Sequence, residues 1–175
     1  MSTRLILASS LALVLFGCGP GGGTECTANT TCAATEVCSD GNCVDALSPQ
    51  YDITLSIDVA DKEQNGDSWD GDGSAPDVGA TLEPVSSGGI SGAPVTEWDS
   101  VESFHPTWQA QQGHFSQGSF EVTVTDDDST FGFDNSETIC TVALPADTAS
   151  FLHAGGGQID GTSCRVTLSL TPSGS

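Results

Sequence analysis

Polar and apolar residues alternate with a period of two along several stretches of this chain. The clearest runs from Tyr51 to Val59, where Tyr51, Ile53, Leu55, Ile57 and Val59 share one face and Asp52, Thr54, Ser56 and Asp58 the other. Successive side chains of a strand point to opposite sides of its sheet, so this pattern predicts a strand with one buried face. Phe120, Val122 and Val124 alternate with Glu121, Thr123 and Thr125 in the same way. Weaker alternation predicts strands over residues 78–85, 95–98, 103–108, 138–144 and 164–170. Residues 146–152 read as a connection with room for a short helix. Polar stretches separate the strands, chiefly 60–77, 86–92 and 109–118. The expectation is an all-β domain: an eight-stranded antiparallel β-sandwich over residues 51–171.

Composition agrees. Gly, with 21 residues, is abundant, and Ser, Thr and Val are plentiful while helix formers are scarce. The charge balance is extreme: Lys and Arg total 3 against 24 Asp and Glu, a formal net charge of -21. Such a surface repels nucleic acid and bare anionic membrane. An anionic partner would need a bridging cation.

The N-terminus reads as a targeting signal. Arg4 precedes an apolar run from Leu5 to Phe16, too short for a comfortable membrane span. Leu15-Phe16-Gly17-Cys18 resembles the bacterial lipobox, with Phe16 bulkier than that position usually holds. The expectation is a lipoprotein signal peptide over 1–17 and a lipidated Cys18, whose acyl chains would anchor the protein in a membrane. Residues 18–25 then form a Gly-rich tether. Gly19 after the lipidated cysteine implies an outer-membrane or cell-surface location.

Assigning Cys18 to lipid leaves six of the seven cysteines: Cys26, Cys32, Cys38, Cys43, Cys140 and Cys164. An exported protein sits in an oxidising compartment, so three disulfides are expected. Residues 26–43 hold four of the cysteines and read as a stapled mini-module whose connectivity stays open; a spacer is its default role. The segment resembles short cysteine-rich stretches that follow the lipid anchor in lipoproteins of myxobacteria. Zinc is the rival use, though no Cys-x-x-Cys pair is present. Cys140 and Cys164 both fall on expected strands, where a bridge is plausible.

Acidic residues gather in two loops. The strand from Phe120 runs into Asp126, Asp127 and Asp128, and Asp134 follows Gly132. Asp126 and Asp128 point the same way in extended chain. Converging carboxylates repel one another unless a hard cation lies between them, and calcium accepts such flexible oxygen sets. The other loop, after Val59, carries Asp61, Asp67, Asp70, Asp72 and Asp77. It does not fit a helix–loop–helix calcium motif: with Gly73 at the sixth loop position, the twelfth is Gly79 rather than Glu.

Four pieces, in order, resemble the C-two (C2) domain, the calcium- and phospholipid-binding β-sandwich of protein kinase C and synaptotagmin. The first strand is followed by an Asp-rich loop. Ser74-Ala75-Pro76-Asp77-Val78-Gly79-Ala80-Thr81-Leu82 is similar to the family's Ser-Asp-Pro-Tyr-Val-x-Val-x-Leu, with Pro76 and Asp77 in reversed order. His105-Pro106-Thr107-Trp108 resembles its Asn-Pro-x-Trp. Phe120 to Asp128 resembles its Leu-x-Ile-x-Val-x-Asp-x-Asp, and Asp134 stands where the family has a further Asp. The resemblance implies calcium bound by Asp126, Asp128 and Asp134 from one loop and by Asp77 and Asp70 from the other, with Asp72 the alternate to Asp70. It also implies Phe131 and Phe133 as candidate lipid contacts at the loop tip, against a core-capping role. The family's basic lipid-binding strand has no counterpart here, so an envelope protein or polysaccharide competes with lipid as partner.

Catalysis finds little support. No Gly-x-Ser-x-Gly stretch exists, His153-Ala154-Gly155-Gly156-Gly157 resembles an oxyanion loop without a nucleophile, and His105, His114 and His153 show no metal spacing. The expectation is a non-catalytic calcium-binding module on a lipoprotein. The alternative is a structural surface lipoprotein without metal function.

Overall fold

A computed structural model describes residues 24–63, 65–70, 72–85, 93–116, 118–128 and 136–173. The strands are β1 (Glu36–Ser39), β2 (Asn42–Asp45), β3 (Gln50–Val59), β4 (Asp77–Pro84), β5 (Thr96–Glu102), β6 (Thr107–His114), β7 (Phe120–Asp127), β8 (Ser136–Ala143), β9 (Gly156–Asp160) and β10 (Cys164–Pro172). A short α-helix, α1 (Thr148–His153), precedes β9. Its N-terminus is capped by Asp147, whose carboxylate accepts the Ser150 N–H.

Strands β3 to β10 build two antiparallel four-stranded sheets, ordered β6-β3-β10-β9 and β5-β4-β7-β8. This is the expected eight-stranded sandwich. The inward residues of the two sheets form one core, with Ile53, Leu55, Val78, Leu82, Val122, Val124 and Val166 fully buried. β10 shows the alternation over its whole length, one residue buried and the next exposed.

The differences from the sequence expectation have physical causes. The polar stretch 109–114 belongs to β6, an edge strand exposed on nearly every side chain, so its apolar period is absent and only its backbone ladder to β3 defines it. The strand expected over 103–108 starts at Thr107, after Pro106, which has no N–H to donate. β9 begins in the glycine run: Gly156 has φ of 90°, and a Cβ there would collide with the Leu168 carbonyl oxygen of the paired strand. Close backbone approach leaves no side-chain pattern to read.

The cysteines pair as Cys26–Cys38, Cys32–Cys43 and Cys140–Cys164. The last links β8 to β10, joining the two sheets. The β1–β2 hairpin is not a detached spacer. Val37 and Ala46 are fully buried in the sandwich core. The His153 ring Nδ1 donates to the Glu36 carbonyl at 2.6 Å, and Asn29 Nδ2 donates to the His153 carbonyl at 3.0 Å. The Tyr51 hydroxyl donates to the Ala46 carbonyl at 2.6 Å. The hairpin is thus fastened where β3 begins and β10 ends.

Candidate functional site

Topology brings the two acidic loops to one pole. β4 and β7 are antiparallel, with Val78 opposite Asp126 and Gly79 opposite Thr125. The first residue of β4 therefore lies beside the last residues of β7. The residues just before β4 and Asp127–Asp128 at the end of β7 thus lie side by side there. The turn before β6 joins them, since the Ser103 N–H donates to the Pro76 carbonyl at 3.0 Å.

The period of two explains why a carboxylate is buried at this pole. Along β7 the inward positions are Phe120, Val122, Val124 and then Asp126. Asp126 continues the core face and is only 1% exposed. Its Oδ1 accepts the Asp77 N–H at 2.8 Å, tying the end of β7 to the start of β4. Burial pushes its pKa up to about 6; the Asp77 N–H pulls the other way, and the charges of Asp128, Asp70 and Asp77 add to the rise. Asp128 is raised as well, first by burial, then by the charge of Asp70 and a hydrogen bond to it, and then by Asp77 and Asp127. A hydrogen bond between two carboxyl groups needs a proton on one of them, as expected where negative groups crowd.

Of the residues expected from the sequence, Asp70, Asp77, Asp126 and Asp128 come together. Asp72 is not among the charges that act on Asp126 or Asp128. It accepts the Ser74 N–H at 2.9 Å and the Ser74 hydroxyl at 2.6 Å, which hold its pKa below the usual range. The Ser74 hydroxyl also reaches Asp70 Oδ2 at 3.1 Å, and so orients that carboxylate. Asp67 is used within its own turn, its N–H donating to Asn65 Oδ1 at 2.7 Å. Asp134, Phe131, Phe133 and Cys18 lie outside the described residues. The sequence did not single out Trp69 and Ser74 as supports of this loop. Trp69 packs against the core and its Nε1 donates to the Ala60 carbonyl at 2.8 Å, closing the loop on itself.

The donor set is all hard oxygen, which suits calcium or magnesium over zinc. The carboxylates are spread: among the described residues, only Cys26, Cys32 and Cys43 bring three ligand-type atoms within 4.8 Å of one another. Those sulfurs are in disulfides, so they offer no thiolates to zinc.

The histidines are placed for other tasks. His105 Nδ1 pairs with Asp58 Oδ1 at 3.0 Å on the open face of the β3 sheet, with side chains 71% and 56% exposed. His153 fastens the hairpin, and the glycine run after it enters β9 rather than forming an oxyanion loop.

No protein-family model matches the chain, and no curated protein matches its sequence. Among solved structures, the chain is similar to BON1-C2B, at 14% sequence identity and a TM-score of 0.50. The match covers 73% of this chain and 95% of that one. The fold is C-two-like.

Proposed function

We propose that this chain is a calcium-binding, non-catalytic binding module, displayed on the outer membrane or cell surface by a lipid on Cys18. The observation that carries the calcium reading is the meeting of Asp70 and Asp77 with Asp126 and Asp128 around a buried carboxylate. Separate loops supply them, and among the described residues the charges that act on buried Asp126 are those of Asp128, Asp70 and Asp77. A divalent ion supplies the missing positive charge. The resemblance, rather than the described residues, brings Asp134 to this ligand set and Phe131 and Phe133 to a lipid contact.

The chain's own groups do the following. To hold a divalent ion Asp126 would have to give up its proton, so binding would release protons below neutral pH. The Asp77 N–H keeps Asp126 aimed at the pole. Ser74 holds Asp70. A divalent ion, if held by these carboxylates, would supply positive charge between chain segments that otherwise repel. Modules of this kind bind calcium at about 0.1–1 mM outside the cell.

Calorimetric titration of the chain from Cys18 onward with calcium tests this. A saturable heat is expected, lost in Asp126→Asn and in Asp134→Asn. Equal heats in wild type and both variants would overturn the assignment. Mass spectrometry of the membrane-extracted protein tests the lipid: diacylglycerol on Cys18 is expected, and a free thiol there would contradict it.

A further inference from the structure

Each sheet of the sandwich ends in two edge strands, β6 and β9 in one and β5 and β8 in the other. An edge strand offers N–H and C=O groups to any second strand, and proteins commonly guard such edges with charge. Three of these four follow that rule. β5 carries Glu97, Asp99 and Glu102, β8 carries Glu137, and the short β9 carries Asp160. β6 does not. Its sequence, Thr107-Trp108-Gln109-Ala110-Gln111-Gln112-Gly113-His114, has no carboxylate, lysine or arginine, and every side chain but that of Trp108 is exposed. The strand lies in the longest run without Asp or Glu after Glu25, from Ser103 to Ser119. Among the described residues, the backbone of β6 bonds to β3 alone.

We infer that β6 is a self-association edge: a second copy of this chain adds its own β6 antiparallel, joining two four-stranded sheets into one. Charge selects the partner. A basic segment would gain more from β5 and its three carboxylates. What the neutral edge admits, and the other edges repel, is a strand from a chain as acidic as this one, and at a net charge of -21 a copy is such a chain. The side chains suit the symmetry. Two identical strands joined about a two-fold axis keep their faces only if the axis passes through a residue. Through Gln111 or Gln112, it sets that glutamine against its own copy. A carboxamide both donates and accepts, so it pairs with itself where a carboxylate cannot. Gln111 to His114 hold a regular register on β3, with Gln111 opposite Ile53 and His114 opposite Gln50. A bulge between Ile53 and Leu55 interrupts the ladder before them and keeps the straight part of the edge short. So short a contact makes a weak, transient dimer. β5 lies on the same flank, tied by the Trp108 Nε1–H to the Asp99 carbonyl at 2.9 Å, so its carboxylates approach their copies too. Salt screens them and should tighten the dimer.

No ion enters this contact, so the test is run in chelator. Sedimentation equilibrium is measured on the chain from Cys18 onward, with Cys18→Ser to exclude a thiol-linked dimer. The average mass should rise from one copy toward two between micromolar and millimolar protein, and further in high salt. Gln111→Glu with Gln112→Glu should weaken the dimer about tenfold, because like charges then stand opposite each other. Gln111→Lys with Gln112→Lys should do the same, and mixing the two variants should restore association. Both positions are exposed, so melting temperatures should stay unchanged. Deuterium exchange in residues 109–114 should slow as the wild type is concentrated. A wild type that stays monomeric at millimolar concentration in high salt would overturn the second copy and leave β6 to a strand of another protein. A Glu variant as dimeric as wild type, a mixture that does not associate, or slowing confined to β5, β8 or β9 would overturn the edge.

Discussion

The pole beneath the hairpin buries Tyr51, Phe115 and Phe120 edge to face, with ring centroids 5.6 Å and 5.2 Å apart, and gives the Tyr51 hydroxyl a carbonyl to meet. The opposite pole buries Asp126 with three like charges acting on it. Both ends are made by the same strands with the same alternation. At one end the inward position of β7 is Phe120, and at the other it is Asp126. The first end is built for stability. The second gives up stability, which is the usual signature of a site that waits for something to bind.

The largest effect is expected where stability is made. Phe120→Ala should cost about 3–5 kcal/mol in urea unfolding, from lost burial and the cavity left behind. The calcium heat per folded molecule should not change. A variant that lost calcium binding while still folded would break the separation of the two poles.

Next comes Asp126→Asn, which should stabilise the calcium-free protein. The folded pKa of Asp126, about 6, lies above its unfolded value, so the folded state holds a proton that the unfolded state has lost. Stability therefore falls as pH rises through roughly 4 to 6 and stays low above that. The shift corresponds to about 2–3 kcal/mol, counted at 1.36 kcal/mol per unit. Measured in chelator between pH 4 and 7, wild type should lose stability relative to Asp126→Asn. Parallel curves would show that the carboxylate carries no burden. Asn keeps an oxygen for the Asp77 N–H, so this hydrogen bond survives the change.

Calcium itself should return about 1–2 kcal/mol at 5 mM, if its affinity lies in the range of extracellular modules. His153→Ala is the smallest change. Loss of its hydrogen bond to Glu36 should cost about 1 kcal/mol and leave the calcium response intact.

The sandwich was legible because its core strands carry the period of two without interruption, as Tyr51 to Val59 and Phe120 to Val124 do. β6 and β9 were not, for opposite reasons. β6 has side chains in water on both faces, and β9 starts with glycines that bring backbone against backbone. The gathering of Asp70, Asp77, Asp126 and Asp128 followed from the resemblance. Its cause, the antiparallel register that sets Val78 beside Asp126, needed coordinates. The resemblance already put Asp70 ahead of Asp72; the coordinates add that Asp70 is among the charges that act on Asp126 and Asp128. Docking of the hairpin was hidden because Val37 is the one large apolar residue other than cysteine in residues 26–43.

The most direct measurement is a set of four melting curves at pH 7: wild type and Asp126→Asn, each in chelator and in 5 mM calcium. The variant should melt higher than wild type in chelator, and calcium should raise only the wild type. A variant that melts lower in chelator, or an equal rise in both proteins, would contradict a carboxylate kept at a cost for a divalent ion.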